Sequence, residues 1–148
     1  MNSKTILLIE DNSSDIELTK RAFKKNHIKN EIIVMEDGQD ALDYLLNPSN
    51  SYEQLPVLTL LDLKLPRIDG LEVLQRIRSD SRTKRLPIVV LTSSKEEKDI
   101  AAAYDNGANS YIRKPVDFKQ FKESIGILGS YWLSLNESPP KGGNDGYN

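Results

Sequence analysis

The sequence predicts a doubly wound α/β domain, in which helices cover both faces of a five-stranded parallel sheet. Short apolar runs alternate along the chain with longer amphipathic stretches, which is the pattern of repeated β-α units. The apolar runs are nearly continuous, as expected for strands buried on both faces. Right-handed crossovers between such strands give three layers. At 148 residues, we expect one such domain.

The central strand is predicted at 57–62, an apolar run that ends abruptly in a carboxylate. Asp62 then lies at the C-terminal edge of the sheet, where open α/β sheets bind their ligands. A plainer interpretation is a loop acid that caps the following helix. A second apolar run, beginning at Thr5, also ends in acids, Glu10 and Asp11, and this repetition favours a ligand site.

Two strands and two helices are predicted before the central strand. They are a strand at 5–10, a helix at 15–26, a strand at 31–35 and a helix from near 38 to 46. The first helix can be capped by Asn12 or Ser14, because side-chain oxygens there accept backbone N–H groups. A long loop is predicted at 47–56, since the prolines that bound it discourage helix.

The second half of the chain continues the alternation. It predicts a helix from 70 or 71 to about 78, a strand at 87–92, a helix at 95–106 and a short strand at 110–113. Apolar residues spaced three or four apart then indicate a long amphipathic last helix, and these are Phe118, Phe121, Ile125, Leu128, Trp132 and Leu135. The ordered domain is expected at 1–136, and the proline- and glycine-rich tail at 137–148 is expected to be disordered.

Composition excludes several classes of protein. The net charge of −2 gives no general attraction to nucleic acid or anionic membranes, and no DNA-binding motif is present. The chain has no cysteine, which rules out disulfides and thiolate sites and agrees with a reducing compartment. Its first apolar run is too short for a signal peptide or a membrane span. We therefore expect a cytoplasmic protein.

The polar residues that follow the predicted strands are expected to gather at one edge of the sheet. They are Glu10, Asp11, Asp62, Thr92 and Lys114. Carboxylates held close together repel, and a hard divalent cation such as Mg²⁺ relieves that repulsion. A metal and an ammonium can neutralise a transferring phosphoryl group, and an aspartate can accept it as an acyl phosphate.

These residues lie in five separated segments whose order resembles the response-regulator receiver domain, the phosphoacceptor of two-component signalling. The resemblance covers roughly residues 4 to 136. The segments are Leu8-Ile9-Glu10-Asp11-Asn12, Leu60-Leu61-Asp62-Leu63, Leu65-Pro66-Arg67-Ile68-Asp69-Gly70, Val90-Leu91-Thr92-Ser93 and Tyr111-Ile112-Arg113-Lys114-Pro115.

The resemblance implies an acceptor and a metal site. Asp62 would take a phosphoryl group from the phosphohistidine of a sensor histidine kinase. Asp11 and Asp62 would bind Mg²⁺ directly, together with the main-chain carbonyl of Lys64, and Glu10 would assist through water. The side chain of Lys64 would face the mouth of the site, where the family tunes dephosphorylation.

The resemblance also implies a conformational switch. Thr92 and Lys114 would bind the phosphoryl oxygens, and Tyr111 would turn inward as Thr92 moves toward them. Ser94 lies at another position that tunes the phosphoryl lifetime. The implied strand order is 2-1-3-4-5, and the bond between Lys114 and Pro115 is expected to be cis.

The end of the chain resembles a subgroup of this family, the single-domain regulators that partner bacterial phytochromes. The long last helix, with Tyr131-Trp132-Leu133 near its end, and the 47–56 loop carry this likeness. It implies a phytochrome-like kinase as partner and a homodimer formed through the C-terminal helices. Alternatively, Tyr131 and Trp132 simply close the bottom of the core.

Three classes of function remain in view. A single-domain switch would signal through a partner surface or relay phosphate onward. A Mg²⁺-dependent aspartyl-phosphate hydrolase would need a second acid two residues after its nucleophile, and Lys64 stands there. An interaction module that works without phosphorylation would not need the complete set of Asp11, Asp62, Thr92 and Lys114.

Overall fold

A parallel five-stranded sheet forms the centre of the molecule, with strand order β2-β1-β3-β4-β5. The computed structural model describes residues 4–49 and 55–140. The strands are β1 (Ile6–Ile9), β2 (Ile32–Met35), β3 (Leu58–Leu61), β4 (Ile88–Thr92) and β5 (Ser110–Arg113). The predicted fold class and strand order are confirmed, and the central strand is the apolar run before Asp62.

Five α-helices connect and follow the strands. They are α1 (Ser13–Lys25), α2 (Gly38–Leu45), α3 (Gly70–Ser79), α4 (Glu97–Asp105) and α5 (Phe118–Ser130). Four begin at a residue whose side chain accepts a backbone N–H two or three positions on, namely Asn12, Asp37, Asp69 and Asp117. Such caps satisfy helix N–H groups that lack a partner within the helix, and each is worth about 1 kcal/mol.

The last helix differs from its prediction, because regular α-helix ends at Ser130. One π-helical turn, Tyr131–Leu135, follows it. Trp132 and Leu133 both pack against the core from this turn. A π-helical turn rotates less per residue than an α-helical one, so the adjacent residues Trp132 and Leu133 point in more similar directions and both reach the core.

Two apolar clusters enclose the sheet, one on each face. Residues of β1 alternate between them, since Ile6 and Leu8 lie in the cluster with α1 and α5, and Leu7 and Ile9 lie in the cluster with α2 and α3. All four residues of β1 are buried, and so are those of β3 and β4. Burial on both faces explains why these strands appear in the sequence as unbroken apolar runs.

Two loop predictions fall partly on residues that the structure does not describe. Within the predicted 47–56 loop, residues 50–54 lie outside them, as do residues 141–148 of the predicted disordered tail. The tail residues that are described, 137–140, have no regular secondary structure, and Arg85 donates a hydrogen bond to the carbonyl of Pro140 at 3.3 Å.

The expected cis bond before Pro115 is wrong for this structure. None of the peptide bonds in the two described ranges is cis, so the bond between Lys114 and Pro115 is trans. The trans form of such a bond is intrinsically favoured by about 0.5–1 kcal/mol.

Candidate functional site

The C-terminal ends of four strands bring the predicted site residues to one edge of the sheet. Ile9 at the end of β1 is in register with Leu61 at the end of β3, so the acids that follow these two strands are neighbours. β4 lies beside β3 and ends at Thr92, and Lys114 follows β5. The backbone N–H of Lys114 donates to the carbonyl of Thr92 at 2.7 Å, which extends the pairing of β4 and β5 into the site.

Three carboxylates form a cluster that can hold a metal ion. Glu10, Asp11 and Asp62 each offer one oxygen, and these oxygens lie within 4.8 Å of one another. Glu10 is buried, Asp62 is half-buried and Asp11 is exposed, which gives the cluster an open side. A cluster of hard oxygen donors with an open side suits a small divalent cation that retains water ligands.

The electrostatics of Glu10 also fit a cation. Its burial, together with the negative charge of Asp62, raises the pKa of Glu10 from 4.5 to about 7, although the hydrogen bond from Lys114 opposes the shift. Without a cation, the site therefore resists holding all its carboxylates ionised. A divalent ion would favour the ionised form of each ligand.

Lys114 is the cation that the protein itself supplies. Its side chain is only 10% exposed, and Nζ donates hydrogen bonds to Glu10 Oε1 and to Asp15 Oδ2, the latter at 2.9 Å. Nζ lies 3.5 Å from Oδ2 of Asp62. Burial alone would lower the pKa of Lys114, but the hydrogen bond to Glu10 and the charge of Asp62 outweigh burial and raise it. Lys114 therefore stays protonated.

Thr92 carries a side chain whose hydroxyl is ready for a new partner. The residue is fully buried, and its Oγ1 forms no hydrogen bond within the described part of the chain. An unsatisfied buried hydroxyl is costly, so Oγ1 of Thr92, like that of Thr59 within β3, would gain from a new hydrogen bond.

Tyr111 joins β5 to the loop after β4. Its ring packs against the small cluster that contains Leu63, Val90 and Ala103, and its hydroxyl donates to the carbonyl of Ser94 at 2.9 Å. The hydroxyl of Ser94 in turn donates to Asp99 on α4. Tyr111 thus lies partly buried beside the predicted switch region, within reach of the segment that follows Thr92.

The loop after β3 lies against the backbone of Asp62. The N–H of Gly70 donates to the carbonyl of Leu63 at 2.8 Å, and a Cβ on Gly70 would meet the carbonyl oxygen of Asp62. Lys64 has an exposed side chain, and its N–H donates to Asp62 Oδ1 at 3.3 Å. Only glycine allows the backbone to approach Asp62 this closely.

Asp15 also lies at the site, although the sequence predicts only the start of a helix there. A signal was available, because the helix begins directly after Glu10 and Asp11, so its first turn lies beside the C-terminal edge of the sheet. The sequence gives no distance from that turn to Lys114, which follows a strand almost a hundred residues later.

The family profile described as response regulator receiver domain matches residues 6–126. The chain belongs to the response regulator receiver domain family. This match confirms the resemblance found in the sequence. Receiver domains receive phosphoryl groups from histidine kinases in two-component signalling. The family consists of signalling proteins rather than classical enzymes, which decides against the hydrolase alternative.

Two relatives of this receiver domain are similar over most of their length. The probable methanogenesis regulatory protein FilR2 of Methanothrix harundinacea is 42% identical over 134 residues, covering 90% of this chain and 86% of FilR2. The response regulator Rcp1 of Synechocystis sp. is 39% identical over 138 residues, covering 92% of this chain and 93% of Rcp1.

Solved structures agree with the fold. The phosphorylated cyanobacterial phytochrome response regulator RcpA has a TM-score of 0.84 at 38% identity, with 93% of this chain and 99% of that one covered. The Mn²⁺-bound form of Rcp1 has a TM-score of 0.81 at 36% identity, with the same coverage. The acidic cluster of this receiver domain can likewise bind a divalent ion. Among the described residues, no helix is both long enough and apolar enough to cross a membrane.

Proposed function

We propose that this receiver domain accepts a phosphoryl group at Asp62 from the phosphohistidine of a sensor histidine kinase, with Mg²⁺ as its metal. One observation carries the proposal: the oxygens of Glu10, Asp11 and Asp62 lie within 4.8 Å of one another, and the ammonium of Lys114 lies 3.5 Å from Asp62. Carboxylates and an ammonium in this arrangement suit phosphoryl transfer.

The transfer forms one bond and breaks another. A carboxylate oxygen of Asp62 attacks the phosphorus, a P–O bond forms, and the P–N bond to the histidine breaks. The electron pair of that bond stays on the imidazole nitrogen, which takes a proton from water. Asp11, Asp62 and the main-chain carbonyl of Lys64 would hold Mg²⁺, with Glu10 assisting, and the bound ion would neutralise charge on the phosphoryl group.

Two side chains receive the phosphoryl oxygens. Lys114 donates an N–H to one phosphoryl oxygen and offsets the negative charge of that oxygen. Thr92 donates its buried hydroxyl, which lacks a partner in the described structure, to another. Each contact arises only when the phosphoryl group is present, so each favours the phosphorylated state.

The signal then spreads as a shift between two conformations. The phosphoryl group carries about 1.5 to 2 negative charges in place of the single charge of the carboxylate, and Thr92 moves toward it. Tyr111 is hydrogen-bonded to Ser94, two residues beyond Thr92, so that movement changes the environment of the tyrosine. Asp99 on α4 is bonded to the same serine. A partner protein would recognise the altered surface of α4, β5 and α5, or the domain would relay the phosphate onward.

Partners of this domain follow from its relatives and its surface. The similarity to phytochrome response regulators supports a phytochrome-like histidine kinase as donor. Ile127, Tyr131 and Leu135 recur every four residues and are 73%, 48% and 74% exposed, which supports a homodimer through the C-terminal helices.

A cytoplasmic location and an ordered domain over 1–136 belong to the same proposal.

Incorporation of phosphate from acetyl phosphate tests the acceptor site. The protein and Asp62→Asn are incubated with and without Mg²⁺, and the phosphate is counted by intact mass. We expect one phosphate, dependent on Mg²⁺ and absent from the variant. No incorporation, together with undetectable Mg²⁺ binding, would instead support an interaction module that works without phosphorylation.

A further inference from the structure

Asp15 is a carboxylate of the site to which the acceptor chemistry gives no role. It lies in the first turn of α1, and its Oδ2 accepts a hydrogen bond from Lys114 Nζ at 2.9 Å. The cap of the helix is already made by the side chain of Asn12, which accepts the N–H of Asp15, so the carboxylate adds only the favourable charge of a first-turn acid there. What the carboxylate does must therefore be sought at Lys114.

The ammonium of Lys114 lies nearer to α1 than to the acceptor. Its Nζ is 2.9 Å from Asp15 and 3.5 Å from Asp62, and it also donates to Glu10. A lysine ammonium has three N–H donors. Two of them are committed to Glu10 and Asp15, while the distance to Asp62 is beyond a good hydrogen bond. Because Lys114 is only 10% exposed, water competes little for these donors.

We propose that Asp15 is a positioning residue that tethers the Lys114 ammonium on the α1 side of the site, in competition with the phosphoryl group on Asp62. The inference rests on the proposed phosphoacceptor function. Whatever Lys114 gains from a phosphoryl oxygen is reduced by what it loses at Asp15. Holding the ammonium near Asp15 therefore lowers the affinity of the site for the phosphoryl group.

The size of the effect follows from the exposure of Asp15. Its side chain is 35% exposed, so solvent screens the ion pair, and removing the pair is expected to shift the affinity by about two- to fivefold. A shift of this size adjusts the affinity for the phosphoryl group but does not abolish phosphorylation. It sets how readily the domain is phosphorylated at a given supply of donor.

Binding of beryllofluoride, a phosphoryl analogue, tests the tether in the presence of Mg²⁺. Asp15→Asn keeps the shape of the side chain and removes its charge, and we expect it to bind beryllofluoride about two- to fivefold more tightly. Asp15→Glu restores the charge and is expected to return the affinity toward that of the unaltered protein. Glu17→Gln removes an equal charge from the exposed side of α1 and is the matched control. An Asp15→Asn affinity that is unchanged, weaker or matched by Glu17→Gln overturns the proposal.

A double-mutant cycle separates a tether from a structural role of Asp15. Rates of phosphorylation by acetyl phosphate are measured for Asp15→Asn, Lys114→Ala and the double variant. If Asp15 acts through Lys114, the gain from Asp15→Asn disappears in the Lys114→Ala background, whereas a structural effect persists there. A persistent gain contradicts the tether while leaving the acceptor function intact. Failure of the unaltered protein to incorporate phosphate would remove both proposals.

Discussion

At the scale of single residues, the site places a carboxylate where water cannot stabilise it. Glu10 is 2% exposed and lies beside Asp62. The pKa of Glu10, about 7 in the native state, exceeds its ordinary value of 4.5. The native protein therefore binds more protons than the unfolded chain between these two pH values, and stability falls as pH rises through this window.

Glu10→Gln is expected to remove this loss of stability. Urea unfolding in the presence of a chelator should show the unaltered protein losing about 1–3 kcal/mol between pH 5 and pH 8 through this residue. The variant should lose less and be the more stable at pH 8. Added Mg²⁺ should stabilise the unaltered protein more at pH 8 than at pH 6, because metal binding competes with the proton on Glu10. An identical pH profile for both proteins would contradict the assignment.

Gly70 makes a second prediction at this scale. A Cβ there would lie 2.6 Å from Cα of Leu63 and also meet the carbonyl oxygen of Asp62, and both atoms belong to the backbone that holds the acceptor. Gly70→Ala should cost about 1–3 kcal/mol in urea unfolding and slow phosphorylation by acetyl phosphate.

A matched glycine on α5 controls for the loss of glycine itself. At Gly126, a Cβ would meet the side chain of Asn26, which donates hydrogen bonds to the carbonyls of Ala22 and Lys122. Gly126→Ala should therefore also destabilise the domain, but it should leave phosphorylation unchanged. Equal effects on phosphorylation from both substitutions would show that the close approach to Asp62 is unimportant.

At the scale of elements, one arginine connects the end of α3 to two other segments. Arg78 donates hydrogen bonds of 2.7 to 2.9 Å to the carbonyls of Gly107, Lys84 and Leu86 and to the side chain of Asn109. The same Asn109 oxygen accepts the N–H of Ile88 at the start of β4. The guanidinium thus satisfies carbonyls at the N-terminal edge of the sheet, opposite the site.

Arg78→Ala is expected to destabilise the domain by about 2–4 kcal/mol, because several carbonyls lose a charged donor at once. Arg76→Ala, on the exposed side of the same helix, should cost less than about 0.5 kcal/mol. Urea unfolding measures both. Under conditions where Arg78→Ala is folded, its Mg²⁺ affinity should equal that of the unaltered protein, since Arg78 lies at the opposite edge of the sheet from the acids.

At the scale of the whole molecule, the exposed stripe on α5 and its π-helical turn predicts self-association. Ile127→Glu and Leu135→Glu place a charge in the expected dimer interface, and sedimentation should show a shift from dimer to monomer at concentrations where the unaltered protein is dimeric. Tyr104→Glu alters an exposed apolar residue on α4 instead and should leave the assembly unchanged. A monomeric unaltered protein would contradict the dimer and leave the acceptor site untouched.

Repeating the sedimentation after phosphorylation tests whether assembly follows the switch. If Tyr111 and α4 transmit the signal to α5, the dimer constant should change on addition of acetyl phosphate and Mg²⁺, and it should not change in Asp62→Asn.

Most of the fold could be read from local patterns, because strands buried on both faces leave unbroken apolar runs and helices leave a period of 3.6. The convergence of Glu10, Asp62 and Lys114 also followed, since parallel strands end at one edge. The end of the last helix at Ser130 did not follow, because packing of Trp132 and Leu133 on the core decides the turn there. Nor did the trans bond before Pro115, where an expectation carried over from the family was wrong.

The sequence by itself determined most of the residues that reach the site, because buried strands leave local apolar runs and parallel strands end at one edge of the sheet. The strand order came from the family resemblance, and Asp15 was missed. Only the tertiary structure decided how those residues divide their contacts. Lys114 lies closer to Asp15 than to Asp62, Thr92 has a buried hydroxyl without a partner, and Gly70 lies against the acceptor backbone. These contacts depend on tertiary distances, such as the 2.9 Å between Lys114 and Asp15, which lie 99 residues apart in the chain. They arise from how helices and loops pack on the sheet, which no local pattern encodes.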